Sequence, residues 1–378
     1  MSKRILVCMM GILLALPLCG CWNYRGLDQL DVVVGIAIDF DKETNKYKLS
    51  YEVADLAGAD KKSSINGIIV EAEGNTLFDA ARNAKRREAD RLFFGSAYIV
   101  IISQELAREE GISHLIEWFL RDAECRETMY VVLSQKETAK EILESSEEEK
   151  GIVSVRLQDI ISEDNEVTAS SSKKMLYEIF DTIESPRRSV MLPALNKIQN
   201  GDKEIRELNG IAVCKGDKLV GFLSPEESKY ALFVEDELNG GILTLSMAGM
   251  RTDDISLEIS DNKTKKSFTY EQGKVKIRIE TDTRVAIAEN QARLDVMDEE
   301  LVKRIEETAA RMIEKNTSDL IARIQGEFNA DLFGFGEMIY KRDLSLWKQL
   351  EPSWDVLFPT LEVVVASKVR VINSAFIR

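Results

Sequence analysis

The stretch Lys274-Val275-Lys276-Ile277-Arg278-Ile279-Glu280-Thr281-Asp282 alternates without a break. Val275, Ile277 and Ile279 point one way, and Lys274, Lys276 and Arg278 the other. That period of two predicts a strand with one face packed and one face wet. Shorter runs at residues 243–247, 255–259 and 267–270 supply companion strands. From about Asp298 the period changes. Leu301, Ile305, Ala309, Met312, Ile313, Leu320 and Ile324 recur at helical spacing over roughly 30 residues. Asn316 and Ser318 interrupt the seam a coiled coil would need, so the helix is expected to lie across the preceding sheet. A Val-rich strand at 361–372 closes the chain. Residues 251–378 therefore read as an antiparallel sheet covered by a long helix.

Working towards the N-terminus, residues 196–250 form a compact middle unit. Two short strands flank Gly216-Asp217, a hairpin signal. Ser224, Pro225 and Glu227 then give an N-cap, a first-turn proline and a capping-box glutamate. Residues 21–195 read as an α/β domain. A hairpin covers 28–56, a helix starts at Asn75 or Thr76 and runs to about Asp90, and a buried strand covers 92–102. Further helices and strands follow to 185, with a polar boundary turn near Asn200, Gly201 and Asp202. The fold class is α+β: three mixed α/β domains after an export signal.

That signal occupies residues 1–20. Lys3 and Arg4 precede an apolar run from Ile5 to Leu18, and Leu18-Cys19-Gly20-Cys21 follows. The apolar core is too short for a stable span of about 20 residues. Leu-x-Gly-Cys at its end resembles a bacterial lipobox. Gly20 leaves room at the scissile bond, and the Cys21 thiol alone can form the thioether. Cleavage between Gly20 and Cys21 would leave a lipidated cysteine as the first mature residue. Two acyl chains then hold stably where one holds marginally, at about 0.8 kcal/mol per buried CH2.

The net charge of −15 speaks against nucleic acid as the main partner and against a general attraction to anionic headgroups. No second long apolar run follows Cys21, so the rest of the chain is expected to lie outside the bilayer. Arg82, Lys85, Arg86, Arg87 and Arg91 make one basic cluster; interleaved with Asp79, Glu88 and Asp90, it reads first as a solvated helix face. Cys125 and Cys214 are expected to be buried free thiols. His114 is the sole histidine, which excludes a multi-histidine metal site. Gly334-Phe335-Gly336 is too short for a dinucleotide fingerprint. No residue set points to catalysis, a metal or a cofactor.

Several blocks together resemble the Ger(x)C family, the lipoprotein C subunits of spore nutrient-germinant receptors. They are Cys21-Trp22-Asn23-Tyr24-Arg25, Val34-Gly35-Ile36-Ala37-Ile38-Asp39, Leu208-Asn209-Gly210-Ile211-Ala212-Val213, Asp217-Lys218-Leu219-Val220-Gly221, Asp331-Leu332-Phe333-Gly334-Phe335-Gly336 and Trp354-Asp355-Val356-Leu357-Phe358-Pro359. The resemblance implies three mixed α/β domains on the outer face of the spore inner membrane. It implies two integral-membrane subunits as partners, and no catalytic residues. Only Cys21 carries over, as the lipidation site. A solute-binding lipoprotein and, further off, a cell-wall hydrolase are the alternative readings.

Overall fold

The structure is a computed structural model that describes residues 29–56, 65–88, 90–145, 149–185, 187–247, 255–291 and 295–374. The signal segment, Gly20 and Cys21 lie outside the described residues.

The chain opens with a hairpin of β1 (Leu30–Asp41) and β2 (Lys46–Ala54), with Ile36 opposite Tyr51 and Ile38 opposite Leu49. Asp41 makes the turn by accepting the N–H groups of Glu43 and Thr44 at 2.9 and 3.3 Å. β3 (Gly67–Gly74) adds antiparallel to β2. Thr76 caps α1 (Leu77–Asn83), accepting the Asp79 N–H at 3.1 Å. The helix expected to reach Asp90 thus stops at Asn83 and tightens into a 3-10 turn, Ala84–Arg86. The expected strand at 92–102 is two strands, β4 (Arg91–Phe93) and β5 (Ile99–Ser103), both parallel to β1. Gly95 and Ser96 sit in the turn that separates them.

Next come α2 (Gln104–Glu109), α3 (Ser113–Arg121), β6 (Tyr130–Ser134), α4 (Lys140–Leu143), α5 (Val153–Val167) and α6 (Leu176–Ile183). β7 (Met191–Asn200), β8 (Lys203–Lys215) and β9 (Lys218–Leu223) then complete a sheet ordered β3-β2-β1-β5-β6-β7-β8-β9. Helices cover both faces of its centre. Ile99 and Ile101 pack with Ile142, Leu157 and Ile161 on one side. Val100 and Ile102 pack with Leu115, Phe119 and Ile179 on the other. Parallel strands buried on both faces read as unbroken apolar runs, as these do.

The remaining elements are α7 (Pro225–Glu235), β10 (Ile242–Leu245), β11 (Ile255–Glu271), β12 (Lys274–Asn290), α8 (Glu299–Arg323), α9 (Phe335–Arg342), α10 (Leu344–Leu350), α11 (Trp354–Leu357) and β13 (Glu362–Ser374). They build a second sheet ordered β10-β11-β12-β13. The alternation of β12 runs on past Asp282: Thr281, Thr283, Val285 and Ile287 are also buried. The inward threonines are satisfied, Thr281 by Ser367 at 2.8 Å and Thr283 by Asn262 at 2.9 Å. Two short strands were expected where β11 runs as one long strand, because after a register shift at Ser260 its polar middle goes on pairing with β12.

Ile305, Ala309 and Ile313 of α8 pack on Leu257, Val285, Ile287 and Val369, so the long helix does lie across this sheet. The sheet is mixed, not antiparallel as expected: β13 runs parallel to β12. A parallel neighbour needs a crossover, and α8 with the short helices after it supplies one. Glu306 and Glu314 of α8 accept the Val371 and Ser367 N–H groups at 2.8 and 2.9 Å.

The segment expected as a middle domain is built as a bridge. The expected boundary at 195/196 falls inside β7, and β8 and β9 continue the first sheet. In β8, Ala212 and Cys214 face the first core. Ile211 and Val213 face a shared core with Val275, Ile277, Phe335 and Phe358. α7 is buried on several sides: Ala231 and Val234 join that shared core, and Leu232 and Phe233 lie under the second sheet. Its expected capping box is present, with Ser224 accepting the Glu227 N–H at 3.2 Å and Glu227 accepting the Ser224 N–H at 2.8 Å.

Candidate functional site

Two blocks of the C-terminal third, Asp331–Gly336 and Trp354–Pro359, come together where the two sheets join. A π-turn segment, Ile324–Phe328, ends α8, and Asn329 turns the chain with φ 45°. Asp331 then reaches over the start of α9, accepting the N–H groups of Phe335 and Gly336 at 2.9 and 2.8 Å. Those are orphan donors of a helix N-terminus, where a carboxylate is favoured. Burial pushes the Asp331 carboxyl up to about 6, against the pull of these N–H groups and of Arg188 and Lys266. Gly334 takes φ 63°, and a side chain on Gly336 would meet the Trp347 ring at 2.8 Å. Both glycines of the block are therefore required, one by backbone conformation and one by contact.

The aromatic side chains form a continuous cluster. Phe333 and Phe335 lie 5.9 Å apart, Phe335 and Phe358 6.3 Å, Phe358 and Trp354 6.3 Å, and Trp354 and Trp347 5.2 Å. Gln325 ties the second block down by donating to the carbonyls of Phe358 and Leu361 at 2.8 and 3.1 Å.

The passage from α6 to β7 crosses this cluster. Ser189 donates its N–H to the Asp331 carbonyl at 2.9 Å, and Arg188 Nε donates to the Leu332 carbonyl at 3.2 Å. Arg188 also pairs with Glu235 at the end of α7. Lys266 of β11 reaches the same carboxylate at 2.8 Å and the Phe333 carbonyl at 2.9 Å. The Glu235 side chain is 3% exposed, and two cations share it, so removing both would strand a buried charge. The Arg187 guanidinium lies over the Tyr340 ring, 3.8 Å from its centre. A cleft of about 120 Å³ opens here, lined among others by Ser185, Arg187, Lys215, Asn329, Asp331 and Trp354.

The other residues singled out by sequence sit elsewhere. His114 lies on α3 with Nε2 3.1 Å from the Tyr47 hydroxyl, and burial holds its imidazole below the usual value. A neutral ring bonded to a tyrosine needs no ligand. Cys125 and Cys214 are free, and burial pushes both thiols up to about 12, which leaves them protonated and inert. In the basic cluster, Arg82 lies over the Phe78 ring at 4.9 Å and Arg87 donates to the Glu71 carbonyl at 2.6 Å. Arg91 pairs with Glu124, and Lys85 donates to the Asp90 carbonyl at 3.1 Å. This cluster is largely engaged by its own neighbours. Among the described residues no group of three or more His, Cys, Asp and Glu is placed to hold a metal, and no helix is long and apolar enough to cross a membrane.

Sequence reasoning missed Ser185, Arg187, Arg188, Glu235, Lys266 and Asn329. They come from four separate elements and carry no shared spacing. The one available signal was an adjacent arginine pair on the passage between an apolar helix and an apolar strand.

Comparison with known proteins places these blocks in context. Residues 209–375 match the family described as "Spore germination B3/ GerAC like, C-terminal", and residues 23–197 match "Spore germination protein N-terminal domain". Spore germination protein KC of Bacillus subtilis (strain 168) is 23% identical over 384 residues, covering 94% of this chain and 92% of that protein. Spore germination protein B3 of the same organism is 22% identical over 368 residues, with 95% of each chain covered. The crystal structure of the GerBC protein superposes with a TM-score of 0.60 at 18% identity, covering 90% of this chain and 97% of that one. With both halves matched in order and the fold shared nearly end to end, the chain belongs to the Ger(x)C family of spore germination proteins.

Proposed function

We propose that this chain is the lipid-anchored subunit of a spore nutrient-germinant receptor, without catalytic activity of its own. It works by contact with two integral-membrane subunits. A thioether at Cys21 tethers it to the outer face of the spore inner membrane. The end-to-end correspondence with two spore germination proteins carries this reading. The Leu18-x-Gly20-Cys21 sequence supports the tether, and two acyl chains supply the affinity for stable anchoring. The organisation of the body fits a contact role. Two sheets are joined through a shared apolar core and a buried ion cluster.

The test is genetic and chemical. Deleting the gene, together with any paralogue, should abolish the response of spores to a nutrient while leaving non-nutrient germination intact. A Cys21→Ala chain should leave the membrane fraction, and mass spectrometry of the native protein should find a diacylglyceryl group on Cys21. Normal nutrient germination in the deletion strain would sink the receptor role. An unmodified Cys21 in the native protein would sink the tether.

A further inference from the structure

The first strand starts at the same end of its sheet as a bare hairpin tip. Leu30 opens β1, nine residues after Cys21. The register that sets Val33 beside Val53 brings Leu30 level with Leu56, just past the end of β2. The Asp55 N–H donates to the Asn66 carbonyl at 2.9 Å, so the β2–β3 ribbon continues beyond its last ladder pair and sets Leu56 across from Ile65. Ile68 sits across from Val53. Leu56, Ile65 and Ile68 are 46%, 40% and 46% exposed.

A lone exposed aliphatic residue is ordinary. These three share one tip, and none of them packs in a core. The turn at the other end of β2 is the contrast: Asp41-Lys42-Glu43-Thr44-Asn45-Lys46 holds no apolar side chain. Over residues 55–66, Lys61 and Lys62 balance Asp55 and Asp60. The tip therefore offers apolar surface without net charge, which suits a hydrocarbon interface and gives an acidic or basic partner nothing to pair with.

The position of the tether says what covers it. The nine residues from Cys21 to Leu30 span at most about 32 Å, so a chain anchored through Cys21 keeps this end of the sheet within that distance of the bilayer. Neighbouring strands lie about 4.8 Å apart, which puts Leu56 and Ile65 about 5–10 Å to the side of the point where the tether enters. We propose that the tip of the β2–β3 hairpin is a membrane wedge: Leu56, Ile65 and Ile68 enter the boundary between headgroups and acyl chains and set the orientation of the body on the bilayer. The inference rests on the Cys21 tether and adds a second contact to it. The tether makes a small contact effective, because it holds the tip at high local concentration. The wedge stops at the interface, since irregular backbone exposed to lipid cannot enter the hydrocarbon.

The test uses the native acylated chain on phosphatidylcholine vesicles that carry a brominated lipid, with no other protein present. One fluorophore is attached beside Ile65 through Ser64→Cys, and one at the far turn through Thr44→Cys. The unsubstituted chain reports any label on Cys125 or Cys214. Flotation with the vesicles reads the tether, and quenching by the brominated lipid reads the tip. The label at residue 64 should be quenched and that at residue 44 should not. Adding phosphatidylglycerol or salt should change the quenching little, because the tip carries no net charge. Leu56→Ser combined with Ile68→Ser should leave the unfolding midpoint nearly unchanged, since both side chains are exposed. The pair should lower the ratio of docked to undocked chain about tenfold or more. A chain that does not float overturns the tether and this proposal with it. A chain that floats with residue 64 no more quenched than residue 44 overturns the proposal alone, as does quenching that survives the double substitution. Shielding of residue 64 from a water-soluble quencher only when the two integral-membrane subunits are added assigns the tip to them and overturns the bilayer contact.

Discussion

In β5, the neighbours Ile101 and Ile102 are both fully buried, one under each layer of helices; in β12, Lys276 is exposed while its neighbour Ile277 is fully buried. The first sheet is the middle of a three-layer stack, and every position in its central strands carries packing energy. The second sheet has helix on one side only, and every other position is free. The largest predicted effect tests this contrast directly. Ile101→Ala and Ile102→Ala should each cost about 2–5 kcal/mol, as should Ile277→Ala. Lys276→Ala should stay within about 0.5 kcal/mol, because its ion pair with Glu362 joins two exposed side chains. Denaturant midpoints at constant slope measure all four. A cheap Ile102→Ala would mean the helix layer on that face is not packed as described.

A second contrast concerns buried carboxylates. The first sheet holds two helix starts this way and the second holds one, for besides Asp39 the first has Glu52, which accepts the Val153 and Ser154 N–H groups at 2.6 and 2.7 Å and is also raised by burial. In the first, Asp39 accepts the N–H groups of Ala139 and Lys140 at 2.6 and 3.1 Å, and burial pushes its carboxyl up to about 6. In the second, Asp331 does the same for α9 and is likewise raised to about 6 by burial, although Arg188 and Lys266 pull the other way. A carboxyl raised from 3.8 in the unfolded chain keeps its proton longer when folded. Its contribution is therefore full below the unfolded value and is lost as pH rises through about 6. Each group accounts for at most about 3 kcal/mol over that window.

Asp41 works in the opposite sense. Lys48 beside it holds its carboxyl down to about 2, so its contribution is lost only as pH falls through that value. The unfolding midpoint should thus rise as the buffer goes from neutral towards pH 5, opposed by His114, whose imidazole burial holds down; Asp331→Asn should remove part of the rise and leave that of Asp39 and Glu52. A midpoint that falls on mild acidification even in a His114→Gln background would show that the buried carboxyls are ionised at little cost, with their N–H partners outweighing burial.

The same contrast explains what could be read in advance. The alternation of β12 and the period of α8 are written in the sequence because one face of each meets water; the solvent marks the period. The central strands of the first sheet carry no such mark, so the run from Leu92 to Ile102 looked like one strand until the turn at Gly95 divided it. β13 has the apolar pattern of a strand, but direction is not encoded in pattern, and its parallel pairing with β12 emerges only from the crossover. The bridge was legible in its turns and caps but not in its role, because β8 serves two cores with alternate residues. Of the cleft, the two aromatic blocks stood out as sequence. The ion cluster and the polar lining did not, since contacts such as Arg188 to Glu235 join residues far apart in the chain.

The bridge itself yields a smaller, sharper test. Ser224 caps α7, and Glu227 of the same box also binds Arg323 of α8 at 2.5 Å. Ser224→Ala should cost about 1 kcal/mol. The loss should appear in the unfolding of both sheets together, because α7 contributes to the shared core and to the second core alike. Separate transitions for the two sheets in this variant would show that the bridge does not couple them.

The smallest expected effect sets the floor of the comparison. Lys315 and Asp319 pair at 2.6 Å on the wet face of α8, with side chains 73% and 64% exposed. The Arg323–Glu227 pair, one or two turns further along, is 33% and 29% exposed and joins two helices. A double-mutant cycle should return no more than about 0.5 kcal/mol for the first pair, screened further by salt. The second should return more, because water is partly excluded and Glu227 is already fixed by the Ser224 N–H. Only the second pair spans the joint. Equal couplings would mean that the joint is as open to solvent as the outer face of α8, and the lock between the sheets would then rest on apolar packing, the Glu235 cluster and the Ser189–Asp331 backbone bond.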